Sequence, residues 1–387
     1  MTTPRLEIAL DVIEENARVL VDRLAPRGIR VTGVCKAGVG SAGVAAAMLG
    51  GGVSGLGDSR IENVTRLRDA GVDTSFTVIR SPALSQAEEI VRGADISLNT
   101  EPAVLRALSQ AAVCQQTTHG VVLMVELGDL REGIGVDDVA GLVAVVEQLP
   151  GLVLLGLGTN LACQSGVVPD QRTMDELSGL VEQAEVSCRR ALPVVSGGNS
   201  ANLEWALSTR DVGRIDELRL GESILLGTEP LHRRPIDGLG TGAFALVGEV
   251  IEVKTKPSQA WGELAQTAFG ARAPRRAGGH VRQAIVALGR QDVDPDGLTA
   301  IAGIEVLGSS SDHLVLDVGD HDVAVGQELV FGLDYSALVR AMTSPYVSRV
   351  ERGARTLGRV GTRRLARERP PPRVRMDADV EVGHADS

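Results

Sequence analysis

The chain has 387 residues, 43% of them hydrophobic and 23% charged, with a net charge of −11, the balance of a globular protein too long for one ordinary core. Aromatic residues make up only 2%, with two Trp and two Tyr, which disfavours a platform for stacking nucleic-acid bases, and the acidic balance disfavours a polyanionic partner. No apolar run approaches the ~20 residues a membrane span needs, and Met1-Thr2-Thr3-Pro4-Arg5 lacks the apolar stretch of a secretion signal.

Through the first 230 residues, short apolar runs alternate with amphipathic stretches, the pattern of repeated βα units around a parallel sheet. The predicted strands are 29–35, 53–57, 75–80, 94–98, 120–127, 152–158, 192–196 and 217–220, with helices such as 60–70, 83–92, 101–111, 137–148, 174–190 and 201–208 between them. Eight such units fit a (β/α)8 barrel over residues 1–235. No GxGxxG follows the first strand, so a dinucleotide crevice is unsupported.

Around residue 235 the period changes. Strand-like runs at 245–253, 281–288, 304–307, 313–318 and 328–331 predict a mostly β C-terminal domain over 236–350, with few helices. Residues 351–387 are rich in Arg and Pro, have little apolar content to bury, and are expected to form a solvated, disordered tail. The cysteines Cys35, Cys114, Cys163 and Cys188 have no CxxC spacing and no clustered histidines. They read as free thiols of a cytoplasmic protein without a zinc site.

Only three lysines occur, Lys36, Lys254 and Lys256, among 39 basic residues. A chain that meets its charge needs with arginine makes Lys36, at the end of the first predicted strand, conspicuous. An amine can lose its proton, attack a carbonyl and hold a cofactor as a Schiff base, and a guanidinium cannot; the plain alternative is a lysine that merely follows a strand. In a parallel barrel the chemistry gathers at the C-terminal ends of the strands. This sequence places Lys36, Arg131, Asn160, Ser200 and Arg219 there, a set suited to an aromatic aldehyde phosphate. The phosphate is expected on Gly198-Asn199-Ser200 and on the backbone amides of Arg219-Leu220-Gly221-Glu222. Taken singly, Arg131 could instead pair with Glu132 or Asp129, and Asn199-Ser200 could cap a helix near Ala201.

Thr32-Gly33-Val34-Cys35-Lys36-Ala37 resembles the cofactor-lysine motif of the alanine racemase family. Asp129-Leu130-Arg131-Glu132-Gly133-Ile134-Gly135, Gly158-Thr159-Asn160, Gly198-Asn199-Ser200 and Leu218-Arg219-Leu220-Gly221 match further motifs in the same order. Gly57-Asp58-Ser59-Arg60 and Ala341-Met342-Thr343-Ser344-Pro345-Tyr346 are worded more like the ornithine racemase branch. The resemblance covers roughly residues 5–350. It implies a pyridoxal 5'-phosphate enzyme with a (β/α)8 barrel and a β domain, an amino-acid racemase acting on ornithine or a similar amino acid, and a homodimer with shared active sites. Lys36 would carry the cofactor and act as a base; Arg219 would face the pyridine nitrogen and Arg131 the phenolic oxygen. Ser200, Gly221 and Tyr346 would hold the phosphate.

Racemisation needs a second acid/base on the opposite face of Cα. Where the family has a tyrosine in a GYxDG motif, this chain has Gly289-Arg290-Gln291-Asp292-Val293, and its counterpart of the family's MDQ motif is Ser311-Asp312-His313. His313 and Cys163 are the candidates for the missing group. Arg290 and Asp292 are candidates for gripping a substrate carboxylate or a distal amine, and Asp58, Asp292 or Asp312 for anchoring a distal cation. A non-catalytic pyridoxal phosphate carrier, or an aldolase or decarboxylase on the same fold, is the alternative reading.

Overall fold

The computed structural model describes residues 3–270 and 278–353. The strands run in the order β1 Arg5–Ala9, β2 Arg30–Val34, β3 Gly55–Asp58, β4 Phe76–Val78, β5 Ile96–Asn99, β6 His119–Val125, β7 Leu152–Thr159, β8 Val194–Ser196 and β9 Glu217–Leu220. The strands β2 to β9 pair in sequence order, and β9 closes on β2 through the parallel register Arg30↔Glu217 and Thr32↔Arg219. This closed, eight-stranded parallel barrel contains all eight strands expected of residues 29–220. Its strands are covered on both sides, which is why they read as short apolar runs without alternation; Leu56, Phe76, Leu123, Leu157 and Leu218 are fully buried.

Helices fill the βα connections: α1 Leu10–Leu24, α2 Ala42–Gly50, α3 Ile61–Asp69, α4 Ala87–Gly93, α5 Pro102–Cys114, α6 Val139–Glu147, α7 Gln171–Cys188, α8 Leu203–Ser208 and α9 Glu222–Leu226. In α1 the buried positions Leu10, Ile13, Ala17, Leu20 and Leu24 follow the 3.6-residue period of one face. Asn16 is buried on that face. Its Nδ2 donates to the carbonyls of Ile224 and Gly240, 3.0 and 2.8 Å away, and its Oδ1 accepts from Gly240 N. A buried amide with its bonds made fixes α1 to the segment that leaves the barrel.

The second sheet is built from β10 Phe244–Pro257, β11 His280–Val286, β12 Leu298–Thr299, β13 Glu305–Ser309, β14 Leu314–Asp317, β15 Glu328–Leu333 and β16 Ser348–Arg352. Its order is β12-β15-β10-β11-β14-β13, with antiparallel neighbours. The strand β1 lies here, antiparallel to β10 and parallel to β16. Residues 5–9, which chain position groups with the barrel, thus belong to the β sheet. Their apolar side chains Leu6 and Ile8 find partners on β10, and Arg5 makes a two-pronged bond to Glu328 at 2.6 and 2.7 Å. Past the last expected strand, 328–331, the domain expected to hold few helices has α10, Tyr335–Thr343. Asp334 caps it by accepting from Ala337 N, and Ala337, Leu338, Ala341 and Met342 are buried. Of the tail expected over 351–387, residues 354–387 lie outside the described residues.

Candidate active site

A cavity of about 680 Å³ opens at the C-terminal ends of the barrel strands. Its wall includes Lys36, Arg131, Asn160, Cys163, Asn199, Ser200, Arg219 and Gly221, eight residues expected from the sequence. Lys36 begins the turn that follows β2, and Val39, with φ 51°, ends that turn in the left-handed region. The amine lies 5.8 Å from the ring centroid of Tyr335, the first residue of α10. A residue of the C-terminal region therefore lines the cavity beside the barrel lysine.

Arg219, on β9, is 4% exposed. Its Nη2 donates to Thr159 O at 2.8 Å and its Nη1 to Ser196 Oγ. Burial lowers its pKa, opposed by the charge of Glu217. Asn160 follows β7. Its Oδ1 accepts from Asn199 Nδ2 at 3.1 Å, while its own Nδ2 is buried with no partner. A buried donor without an acceptor is costly unless a ligand completes it.

Ser200 Oγ lies 3.0 Å from Ser223 Oγ and accepts from the amides of Ser223, at 3.2 Å, and Gly221, at 3.4 Å. Gly198 before it has φ 141°, and a Cβ there would fall 2.1 Å from Asn202 Oδ1. That oxygen accepts from Asn199 N, so the glycine is what lets the turn close. Asn199 also caps the turn over Ser200–Asn202 through Ala201 N. The capping role and the site role thus coexist in one residue.

Arg131 pairs with Glu132 and both line the cavity; with this bond and the nearby carboxylates prevailing over burial, its pKa is raised. Asp129 is buried and accepts from the amides of Cys163, Gln164 and Ser165 at 3.1, 2.9 and 3.0 Å. Burial alone would raise its pKa, but the amides of Gln164, Ser165 and Cys163 hold the carboxyl below the usual range. Five cations (Lys36, Arg80, Arg131, Arg219, Arg233) and two carboxylates (Glu132, Glu222) line the cavity, a balance favouring an anionic ligand. Arg80, Arg233 and Tyr335 were not singled out by the sequence. No local pattern marks them, since folding alone brings them to the mouth.

Five expected residues lie elsewhere. Tyr346 is 63% exposed and outside this cavity, and the tyrosine in the wall is Tyr335. The β13–β14 connection carries His313 and Asp312, paired to each other at 2.9 Å and both exposed, away from the cavity of their own chain. Arg290 lines an adjoining cavity of about 730 Å³ with Arg233, Phe269, Tyr335 and Arg340, and packs on the Phe269 ring at 5.2 Å. Asp292 is buried and accepts from Gly289 N at 2.9 Å, which turns its carboxylate to closing a loop.

Residues 8–230 match the model of the alanine racemase N-terminal domain. The chain is 38% identical over 353 residues to a lysine racemase of Thermotoga maritima, spanning 90% of this chain and 99% of that one. It is 33% identical over 350 residues to an ornithine racemase of Acetoanaerobium sticklandii, with 89% and 99% covered. The fold is shared with the alanine racemase of Streptomyces lavendulae, at TM-score 0.69, 21% identity and 92% and 98% coverage. It is also shared with a D-threonine aldolase of Filomicrobium marinum, at TM-score 0.68, 18% identity and 88% of both chains. This chain belongs to the alanine racemase family and is an amino-acid racemase, an isomerase.

Proposed function

We propose that this protein is a pyridoxal 5'-phosphate-dependent racemase of a basic amino acid, lysine or ornithine, working in the cytoplasm as a homodimer. The observation that carries the reading is Lys36 in a cation-rich cavity with Arg219, Ser200 and an unpartnered Asn160 donor. These residues fit the cofactor. An amine is present for its aldehyde, the Ser200–Gly221 turn for its phosphate, and Asn160 Nδ2 supplies a donor that lacks an acceptor.

When bound, pyridoxal phosphate supplies an aldehyde that condenses with amines and a ring that spreads the charge left on Cα once its proton departs. Lys36 anchors the cofactor and moves a proton at Cα of the substrate. Arg219, held by Ser196 and Thr159, donates only, since a guanidinium accepts no proton. Because a guanidinium neither takes nor gives a proton there, the ring would be a weaker sink for charge, which would favour return of the proton to Cα over loss of a carboxylate. Arg131 orients charge at the rim together with Glu132.

The substrate class is supported by the two relatives and by the wall itself. Glu222 lies 3.5 Å from Arg233, and burial raises its pKa; with Glu132 it offers carboxylates to a distal ammonium. The dimer is supported by apolar side chains left exposed on the β10–β11 connection, Trp261 at 88% and Leu264 at 65%. Among the described residues no helix is long and apolar enough to cross a membrane.

The test is direct. Borohydride should fix the cofactor on the Lys36 peptide, located by mass spectrometry, and chiral chromatography should show L-lysine or L-ornithine approaching an equal mixture of enantiomers. Aldehyde or carbon dioxide release without inversion would replace this reading with the aldolase or decarboxylase alternative. Binding without turnover would favour a carrier.

A further inference from the structure

We propose that Cys163 is the acid/base that faces Lys36 across Cα, so that this chain carries both proton-transfer groups in its own cavity. The proposal rests on the racemase reading above and assigns the step that reading leaves without a residue.

Lys36 follows β2 and Cys163 follows β7. In the closed barrel β2 adjoins β9, β9 adjoins β8 and β8 adjoins β7, so the two residues stand three strands apart around the mouth. Arg219, on β9, and Asn199-Ser200, after β8, line the arc between them. A ligand resting on that arc is flanked by the amine on one side and the thiol on the other.

The loop that carries the thiol is built with unusual care. Ala162, just before it, holds φ 57°, a left-handed conformation that a residue with a Cβ seldom adopts. The buried Asp129 carboxylate takes the three successive amides of Cys163, Gln164 and Ser165, and Asp129 O accepts from Ser165 Oγ at 2.7 Å. Asn199 Nδ2 reaches Cys163 Sγ at 3.4 Å and Leu161 O at 2.8 Å. Arg131 and Arg219 line the same cavity wall as the sulfur. A thiol that meets an amide donor in a wall shared with two guanidiniums is placed to give and take a proton at the ligand.

The carboxyl and phenol groups of the wall have other roles. Glu132 is paired with Arg131, and Glu222 lies 3.5 Å from Arg233. Tyr335 stands on the lysine side, its ring centroid 5.8 Å from Nζ, and burial pushes its phenol well above its usual range. His313 and Arg290 lie outside this cavity.

The balance needs no further reactant. One group takes the Cα proton while the other gives its own to the opposite face; the amine ends with a proton that the thiol has lost, or the reverse, and both reset by exchange with water.

The experiment uses the full chain loaded with pyridoxal phosphate, as wild type, Cys163→Ala and Cys163→Ser, with each enantiomer of lysine and ornithine in heavy water. Both variants should keep borohydride-fixable cofactor on Lys36 and exchange the Cα proton of one enantiomer at a rate within about threefold of wild type, while interconversion falls about a hundredfold or more. A second readout needs no turnover: iodoacetamide should label the Cys163 peptide of cofactor-free wild type, and loading should slow that labelling about tenfold or more. Interconversion by either variant near the wild-type rate overturns the proposal, as does loss of exchange at both enantiomers with cofactor still fixed, or labelling indifferent to the cofactor. A wild-type protein that inverts neither amino acid overturns the functional reading itself, a different failure from variants that still racemise.

Discussion

The amine of Lys36 stands 5.8 Å from the centroid of the Tyr335 ring, which ties the first barrel strand to the first turn of a helix some 300 residues further on. The contact joins the two sheets at the one place where chemistry is expected. Tyr335 opens α10 and lines the cavity, whereas Tyr346 lies past the end of that helix and is exposed.

Tyr335 should therefore matter through its ring. A cation over an aromatic face is worth about 0.5–2 kcal/mol, so Tyr335→Ala should weaken cofactor retention about threefold to thirtyfold, measured by equilibrium dialysis. Tyr335→Phe keeps the ring and should retain cofactor nearly as wild type. A phenylalanine variant as impaired as the alanine one would show that the hydroxyl, not the ring, is what the site uses.

Asp129 should behave as the staple of the Cys163 loop. Removing a buried carboxylate that satisfies three amides should cost about 3 kcal/mol in Asp129→Ala, read from denaturant unfolding. Asp129→Asn keeps one acceptor oxygen and should lose less. Both should change the iodoacetamide labelling rate at Cys163.

Gly198 occupies φ 141° with Asn202 Oδ1 where a Cβ would stand. Gly198→Ala should break the Asn199 N–Asn202 bond, lower stability by about 2 kcal/mol, and release cofactor as the Ser200 turn shifts. Thermal unfolding and the fraction of protein carrying cofactor would report the two effects separately.

His119 gives a pH dependence. It is 1% exposed, with Nε2 2.8 Å from Ser97 Oγ, and burial pushes its pKa from 6.5 down to about 4. The unfolded chain takes up this proton first, so the stability due to neutral His119 is complete above about pH 6.5. It is lost as pH falls towards 4, by about 3 kcal/mol in all. His119→Gln should flatten the fall of melting temperature over that window. An unchanged slope would place the acid sensitivity in other groups.

Eight strand runs, a change of period near residue 235 and five motifs at strand ends were legible in the chain. The first two are local consequences of burial: a strand covered on both faces must be apolar, and a sheet after a barrel changes the spacing. Lys36, Arg131, Asn160, Ser200 and Arg219 could be placed because a parallel barrel puts the end of every strand on one side. Three things were fixed only by folding. Residues 5–9 joined the second sheet because their pairing partners lie about 240 and 340 residues away. Tyr335 reached the cavity on the first turn of α10, and Tyr346, past the end of that helix, stayed outside. Cys163, one of two residues the sequence offered for the second proton, met Asn199 and the Asp129 staple in the cavity that Arg131 also lines, while His313 lies on an exposed connection. Local patterns record what each residue must bury; which distant side chains come to share a cavity is decided by long-range pairing, and no spacing along the chain encodes it.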